Sequence, residues 1–149
     1  MLDKVCRVLV LGEGKKVLNK VYDIFMGQER QDGISLKCNE IKHLNLSNLL
    51  KITSEKVGFT SLPKWVKECS NIKVLDFDMN NITVIKKEEL PSSLIELSLK
   101  RNSLEELDVS RLLELRMLYL KGNKLTKLDL SQNLKLQQLT TRDNKLGKF

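Results

Sequence analysis

Gly12, Gly14 and Lys15 follow the apolar run Val8 to Leu11 and lead into Lys16 and Val17. Glycines before a lysine would cradle phosphate if the loop had the length GxxxxGK and a following hydroxyl to reach magnesium. Here the loop is too short and the hydroxyl is missing, so nucleotide binding is not expected. His43 is the single histidine, and no Cys, His or Asp cluster with ligand spacing accompanies it, which argues against a metal. Cys38 and His43 would form a thiol–imidazole pair, but Cys38 alternates with Leu36 and Ile34 and reads as a buried apolar position. With Cys6 and Cys69 it makes an odd set without a close pair, as expected for free thiols in a reducing compartment. The acidic pairs Glu88-Glu89 and Glu105-Glu106 fit a solvated outer surface better than a carboxylate dyad. The expected chemistry is none: no enzyme, no cofactor, no metal.

Composition allows one core. At 149 residues with 41% hydrophobic side chains and 2 prolines, the chain is long enough for a single domain and too apolar for disorder. The net charge of +7 is spread as single or paired lysines, whereas a nucleic-acid footprint needs clustering. The first residues carry too short an apolar run for a secretory signal or a membrane span. The expectation is a cytoplasmic chain where it is synthesised, with export by a route lacking a standard signal peptide left open.

Periodicity carries the most information. LIELSLKRNSLEEL begins at Leu94, LRMLYLKGNKLTKL at Leu115 and LQQLTTRDNKLGKF at Leu136, 21 residues apart each time. IKVLDFDMNNITVI begins 22 residues before Leu94, at Ile72. Apolar residues recur at positions 1, 4, 6, 11 and 14 of these units, with Thr141 the exception, and asparagine stands at position 9 as Asn80, Asn102, Asn123 and Asn144. Alternation at positions 4 and 6 makes a short strand with one face inward. One such strand cannot bury its face alone, so successive units must stack into a solenoid with a parallel inner sheet. The asparagines end the strands and can hydrogen-bond the backbone of adjacent turns.

These units match LxxLxLxxNxL, and the chain resembles the leucine-rich-repeat family over residues 41–149. The LDVS (Leu107 to Ser110) and LDLS (Leu128 to Ser131) segments resemble the short-repeat kind common in bacterial surface and effector proteins. The resemblance implies an α/β horseshoe with an irregular or 3₁₀ outer side, and a protein–protein interaction module, effector-like in character. About five repeats are expected, starting at 41, 72, 94, 115 and 136. In the first, Ile41, Leu44 and Leu46 supply positions 1, 4 and 6, and Leu62, Pro63, Val66 and Cys69 point inward. The span from 41 to 72 leaves a surplus of about eight residues between Leu46 and Phe59, read as a loop insertion. Residues 1–40 read as a capping strand–helix–strand unit, with strands at Lys4 to Leu11 and Gly33 to Cys38 and a helix over Lys15 to Gln28.

In this family's geometry positions 3, 5 and 7 face outward from the inner sheet. That places His43, Asn45 and Ser47 on the first repeat, an acidic spot of Asp76 and Asp78 on the second, and a basic stripe of Lys100, Lys121 and Arg142, with neighbouring Arg101, on the last three. Met117 and Tyr119 lie beside the stripe, and tyrosine and arginine are favoured interface anchors. An acidic segment of a partner protein is the expected ligand; nucleic acid on the same stripe is the alternative, and no membrane partner is expected. The C-terminal edge, with Leu136, Leu139 and Leu146, is expected to leave a monomer or a weak homodimer.

Overall fold

The structure, a computed structural model, describes residues 4–10, 20–26, 29–30, 33–34 and 49–147. Nine strands follow in chain order: β1 (Lys4–Val10), β2 (Lys20–Met26), β3 (Glu29–Arg30), β4 (Gly33–Ile34), β5 (Leu49–Thr53), β6 (Val74–Asp76), β7 (Glu96–Ser98), β8 (Met117–Tyr119) and β9 (Gln138–Thr140). Seven form one sheet in the order β2-β1-β5-β6-β7-β8-β9, and β3 pairs separately with β4.

From β5 onward every pairing is parallel and in register. Ile52, Leu75, Leu97, Leu118 and Leu139, all at position 4, lie opposite one another in sequence. Three-residue strands suffice because each residue pairs on both sides, and because the repeats return to the sheet through turns and 3₁₀ segments at Lys64–Glu68 and Lys87–Glu89. The expected irregular outer side is therefore present. The core is a column of stacked aliphatic side chains: Leu49, Ile72, Leu94 and Leu115 at position 1 are wholly buried, as are Leu99 and Leu120 at position 6. Phe59 and Phe77 add a tilted aromatic pair with ring centroids 5.4 Å apart. The inward Leu62, Pro63, Val66 and Cys69 are all buried, and Trp65 joins them.

Two sequence expectations are corrected. The first repeat begins at 49, not at 41, because β5 pairs Lys51 with Val74, Ile52 with Leu75 and Thr53 with Asp76. The unit from 49 to 72 is then 23 residues long, and no surplus of eight remains; Ile41, Leu44 and Leu46 lie outside the described residues. Asn80 confirms the register, since its amide holds Val57, Gly58 and Phe59, which become positions 9 to 11. Positions 3, 5 and 7 of this repeat are accordingly Lys51, Thr53 and Glu55, in place of His43, Asn45 and Ser47.

The second correction concerns the helix over Lys15 to Gln28. Lys20–Met26 is a strand, antiparallel to β1 from Lys4↔Met26 to Val10↔Lys20, and residues 15–19, 27 and 28 lie outside the described ones. Val21, Tyr22, Ile24 and Phe25 are strand formers by type, and a short apolar run fits both periods until a pairing partner decides. β1 supplies that partner and also pairs antiparallel with β5, with a register irregularity at Leu9/Val10. A β-hairpin thus extends the edge of the parallel sheet, so that β5 is paired on both sides. Of the expected strand at Gly33 to Cys38, Gly33–Ile34 is present as β4 and the rest lies outside the described residues. No helix among the described residues is long and apolar enough to cross a membrane.

Candidate functional site

The asparagine ladder sets the spacing of everything displayed on the sheet. Asn80 Oδ1 accepts from the backbone N–H groups of Val57, Gly58 and Phe59 at 3.0–3.1 Å, while its Nδ2 donates to the carbonyls of Ser54 and Phe77. Asn102 accepts from Ile82 N and donates to Phe77 O and Leu99 O; Asn123 accepts from Leu104 N and donates to Leu99 O and Leu120 O. Asn144 repeats the arrangement with Leu125 N, Leu120 O and Thr141 O. Each amide therefore bonds its own turn and the preceding one, satisfying buried backbone groups that no strand pairing reaches.

Just before each ladder residue the backbone enters the left-handed region: Lys56, Met79, Arg101, Gly122 and Asp143 all have φ between 54° and 77°. This recurrence at position 8 turns the chain from the inner sheet to the outer side. Only Gly122 is free of the Cβ penalty. Backbone bonds from Met79 N to Lys100 O, Arg101 N to Lys121 O and Gly122 N to Arg142 O carry the pairing past the strands to position 7. Lys100, Lys121 and Arg142 consequently stand in one row, one strand spacing apart.

The row is graded in charge, beginning with Glu55 and Asp78. Asp78 is only 5% exposed. Its Oδ1 accepts from Ser98 Oγ at 2.7 Å and Lys100 N at 2.8 Å, and its Oδ2 lies 3.5 Å from Lys100 Nζ. Asp78 thus faces the neighbouring strand, and it steadies Lys100. Lys100 Nζ also lies 5.6 Å from the ring centroid of Tyr119, within reach of a cation–π contact. The Tyr119 hydroxyl donates to Gln138 Oε1 at 2.6 Å, which fixes the ring across two repeats. Met117, Tyr119 and Lys121 are half-buried, whereas Arg101 and Arg142 are exposed.

Glu55, Asp76 and Asp78 bring carboxylate oxygens within 4.8 Å of one another. Burial, helped by the negative charges of Asp78 and Glu55, pushes the Asp76 carboxyl up to about 6, against the bond its Oδ1 accepts from Asp78 N and the charge of Lys100. The cluster is the acidic end of the same face. Away from it, Cys69 is a buried thiol whose desolvation, with Glu68 nearby, raises it to about 12, so it is no nucleophile at neutral pH.

Other features lie off the inner sheet. Asp108 accepts from Ser110 N and Oγ, and Asp129 from Ser131 N, so the LDVS and LDLS segments are self-bonded turns whose carboxyls sit below the usual range. An outer groove of about 810 Å³ runs past Ile85, Lys87, Leu107, Asp108 and Lys127, mixed in charge. Sequence reading missed Asn133, which is buried and donates to Val109 O and Leu112 O, forming a second inter-repeat tie on the outer side. Its signal was an asparagine three residues before a position-1 leucine. At the β9 edge Leu139 is 42% exposed, and Leu136 and Leu146 are half-buried.

No protein-family model matches the sequence. The curated proteins give no match. Among solved structures, the functional domain of InlJ from Listeria monocytogenes, which includes a cysteine ladder, is similar at 31% identity and a TM-score of 0.62. The match covers 68% of this chain and 22% of that one, so the chain spans about a fifth of its length. In this chain the turns are tied by asparagine, and its three cysteines do not recur from repeat to repeat. The stacked parallel strands, the asparagine-tied turns and this likeness to a bacterial domain together show that the chain folds as a leucine-rich-repeat solenoid of short repeats.

Proposed function

We propose that the chain is a non-enzymatic protein-interaction module whose inner sheet binds an acidic segment of a partner protein. The observation carrying this reading is the aligned row of Lys100, Lys121 and Arg142, with Tyr119 fixed beside it by Gln138 and Lys100. A rigid, pre-ordered aromatic flanked by cations loses little side-chain freedom on binding, which is how a small surface gains affinity. The likeness to a bacterial domain of the same fold supports an interaction role, and an effector-like setting with synthesis in the cytoplasm belongs to the same proposal. Asp78 enters as the group that holds Lys100 in place, while Asp76 with Glu55 sets the acidic limit of the surface.

The test is an affinity capture from a cytosolic extract, with wild-type protein beside a Tyr119→Ala/Lys121→Glu variant and a nuclease-treated arm. A protein retained by wild type and lost on the variant is the expected result. Capture that disappears with nuclease would replace this reading by nucleic-acid binding, and identical capture by both baits would move the interface off the inner sheet.

A further inference from the structure

The spacing of the basic row selects the conformation of what it binds. Position-7 residues are held one strand spacing apart by the backbone bonds at Lys100 O, Lys121 O and Arg142 O, so the main-chain positions that carry the cations recur every ~4.8 Å across the sheet. An α-helix laid along that row presents one side chain per turn, every ~5.4 Å, through positions i, i+4 and i+7. Over the two steps from Lys100 to Arg142 the accumulated mismatch is ~1.2 Å, within the reach of lysine and arginine stems. An extended chain presents the same face only every second residue, ~6.7 Å apart, and falls out of step by ~4 Å over the same distance. The helical repeat is the closer match to the row, by about threefold in accumulated mismatch.

Resting on the acidic-partner reading above, we infer that the ligand is an α-helix bearing acidic residues at i, i+4 and i+7, lying across β7, β8 and β9 along the row Lys100, Lys121, Arg142. Tyr119 and Met117, half-buried on either side of the inward Leu118 of β8, supply the apolar contact beside the charged line. The row changes sign beyond Lys100, where Asp78 and Glu55 follow with Asp76 beside them. A matching helix therefore continues with neutral or basic residues in the turns facing β5 and β6, and an acidic stripe prolonged over those turns is disfavoured.

Three synthetic peptides of equal length and equal charge test this by fluorescence anisotropy on the full chain. The first is alanine-rich and helical with glutamates at i, i+4 and i+7; the second has the same glutamates dispersed around the helix. The third repeats the first with two central alanines replaced by proline, which prevents helix formation. The first peptide should bind at least tenfold more tightly than the other two, and a Lys121→Glu/Arg142→Glu variant with unchanged thermal unfolding should lose that advantage. Equal binding of the proline peptide would overturn the helical ligand while leaving an acidic partner in place. Equal affinity of all three for the wild type and the charge-reversed variant, or binding by none, would overturn both.

Discussion

Replacing the ladder asparagines one at a time by alanine should produce a graded series of losses that follows how many buried backbone groups each one satisfies. Asn102→Ala removes the only acceptor for the buried Ile82 N–H, while Phe77 O and Leu99 O each keep a second donor, from Asn80 and Asn123. One orphaned buried donor at about 1–3 kcal/mol and two lost bonds at about 1 kcal/mol each give about 3–5 kcal/mol. Asn80→Ala frees three backbone N–H groups, of Val57, Gly58 and Phe59, and takes a donor from Ser54 O, so its loss should reach about 4–5 kcal/mol. Asn144 is only half-buried, water can replace what it gives, and Asn144→Ala should cost about 1–2 kcal/mol. Since a domain of this size is stable by about 5–15 kcal/mol, the series spans a measurable range of urea midpoints followed by far-ultraviolet circular dichroism. Equal losses at all four positions, or a larger loss at Asn144 than at Asn80, would refute the reasoning that these amides act by satisfying buried backbone.

Three further outcomes follow from the same structure. Asp76 titrates near 6 when folded against 3.8 ordinarily, so its ionisation destabilises the fold increasingly as pH rises from about 4 to 6 and by a constant amount above. Asp76→Asn, which keeps the acceptor for Asp78 N, should gain about 1–3 kcal/mol at pH 7 and nothing below pH 4; a gap that is flat from pH 3 to 8 would contradict this. Gly122→Val places a β-branched residue at φ 77° with its Cβ 3.2 Å from Arg101 Cγ, and should lose about 1–3 kcal/mol in the same urea assay, an unchanged midpoint being the contrary result. Cys69 should resist maleimide in native protein at pH 8 and label only on unfolding, as read by peptide mass spectrometry; rapid native labelling would place the thiol at the surface.

From Ile72 to Leu146 the fold is legible in the sequence, because each repeat specifies strand, ladder and return turn through residues 21 or 22 apart, and no longer-range information is needed. The first repeat is less so. Ile41, Leu44 and Leu46 imitate positions 1, 4 and 6 better than Leu49, Ile52 and Ser54 do, and only the pairing of β5 with β6 resolves the tie in favour of the second set. Ser54 is a buried polar residue at position 6, its N–H donating to Asp76 O and its carbonyl accepting from Asn80 Nδ2. The Lys20–Met26 strand was hidden for a related reason: its conformation depends on β1, a partner that local periodicity does not report. At the candidate site the pattern put Asp78 and Lys100 on one outward face. The structure adds that Ser98, two residues before Lys100 on the next strand, draws the Asp78 carboxylate down and leaves the lysine presented. Such a link joins neighbouring repeats through side chains, which positional counting treats as independent.

Where an acidic ligand sits is the central question, and chemical-shift mapping answers it directly. Isotope-labelled protein would be titrated with the helical peptide carrying glutamates at i, i+4 and i+7. Amide perturbations should concentrate at residues 98–101, 117–122 and 138–143, the inner sheet and the turn that follows it. Perturbations concentrated at residues 84–88, 106–110 and 127–131 would place the ligand in the outer groove and contradict an inner-sheet site.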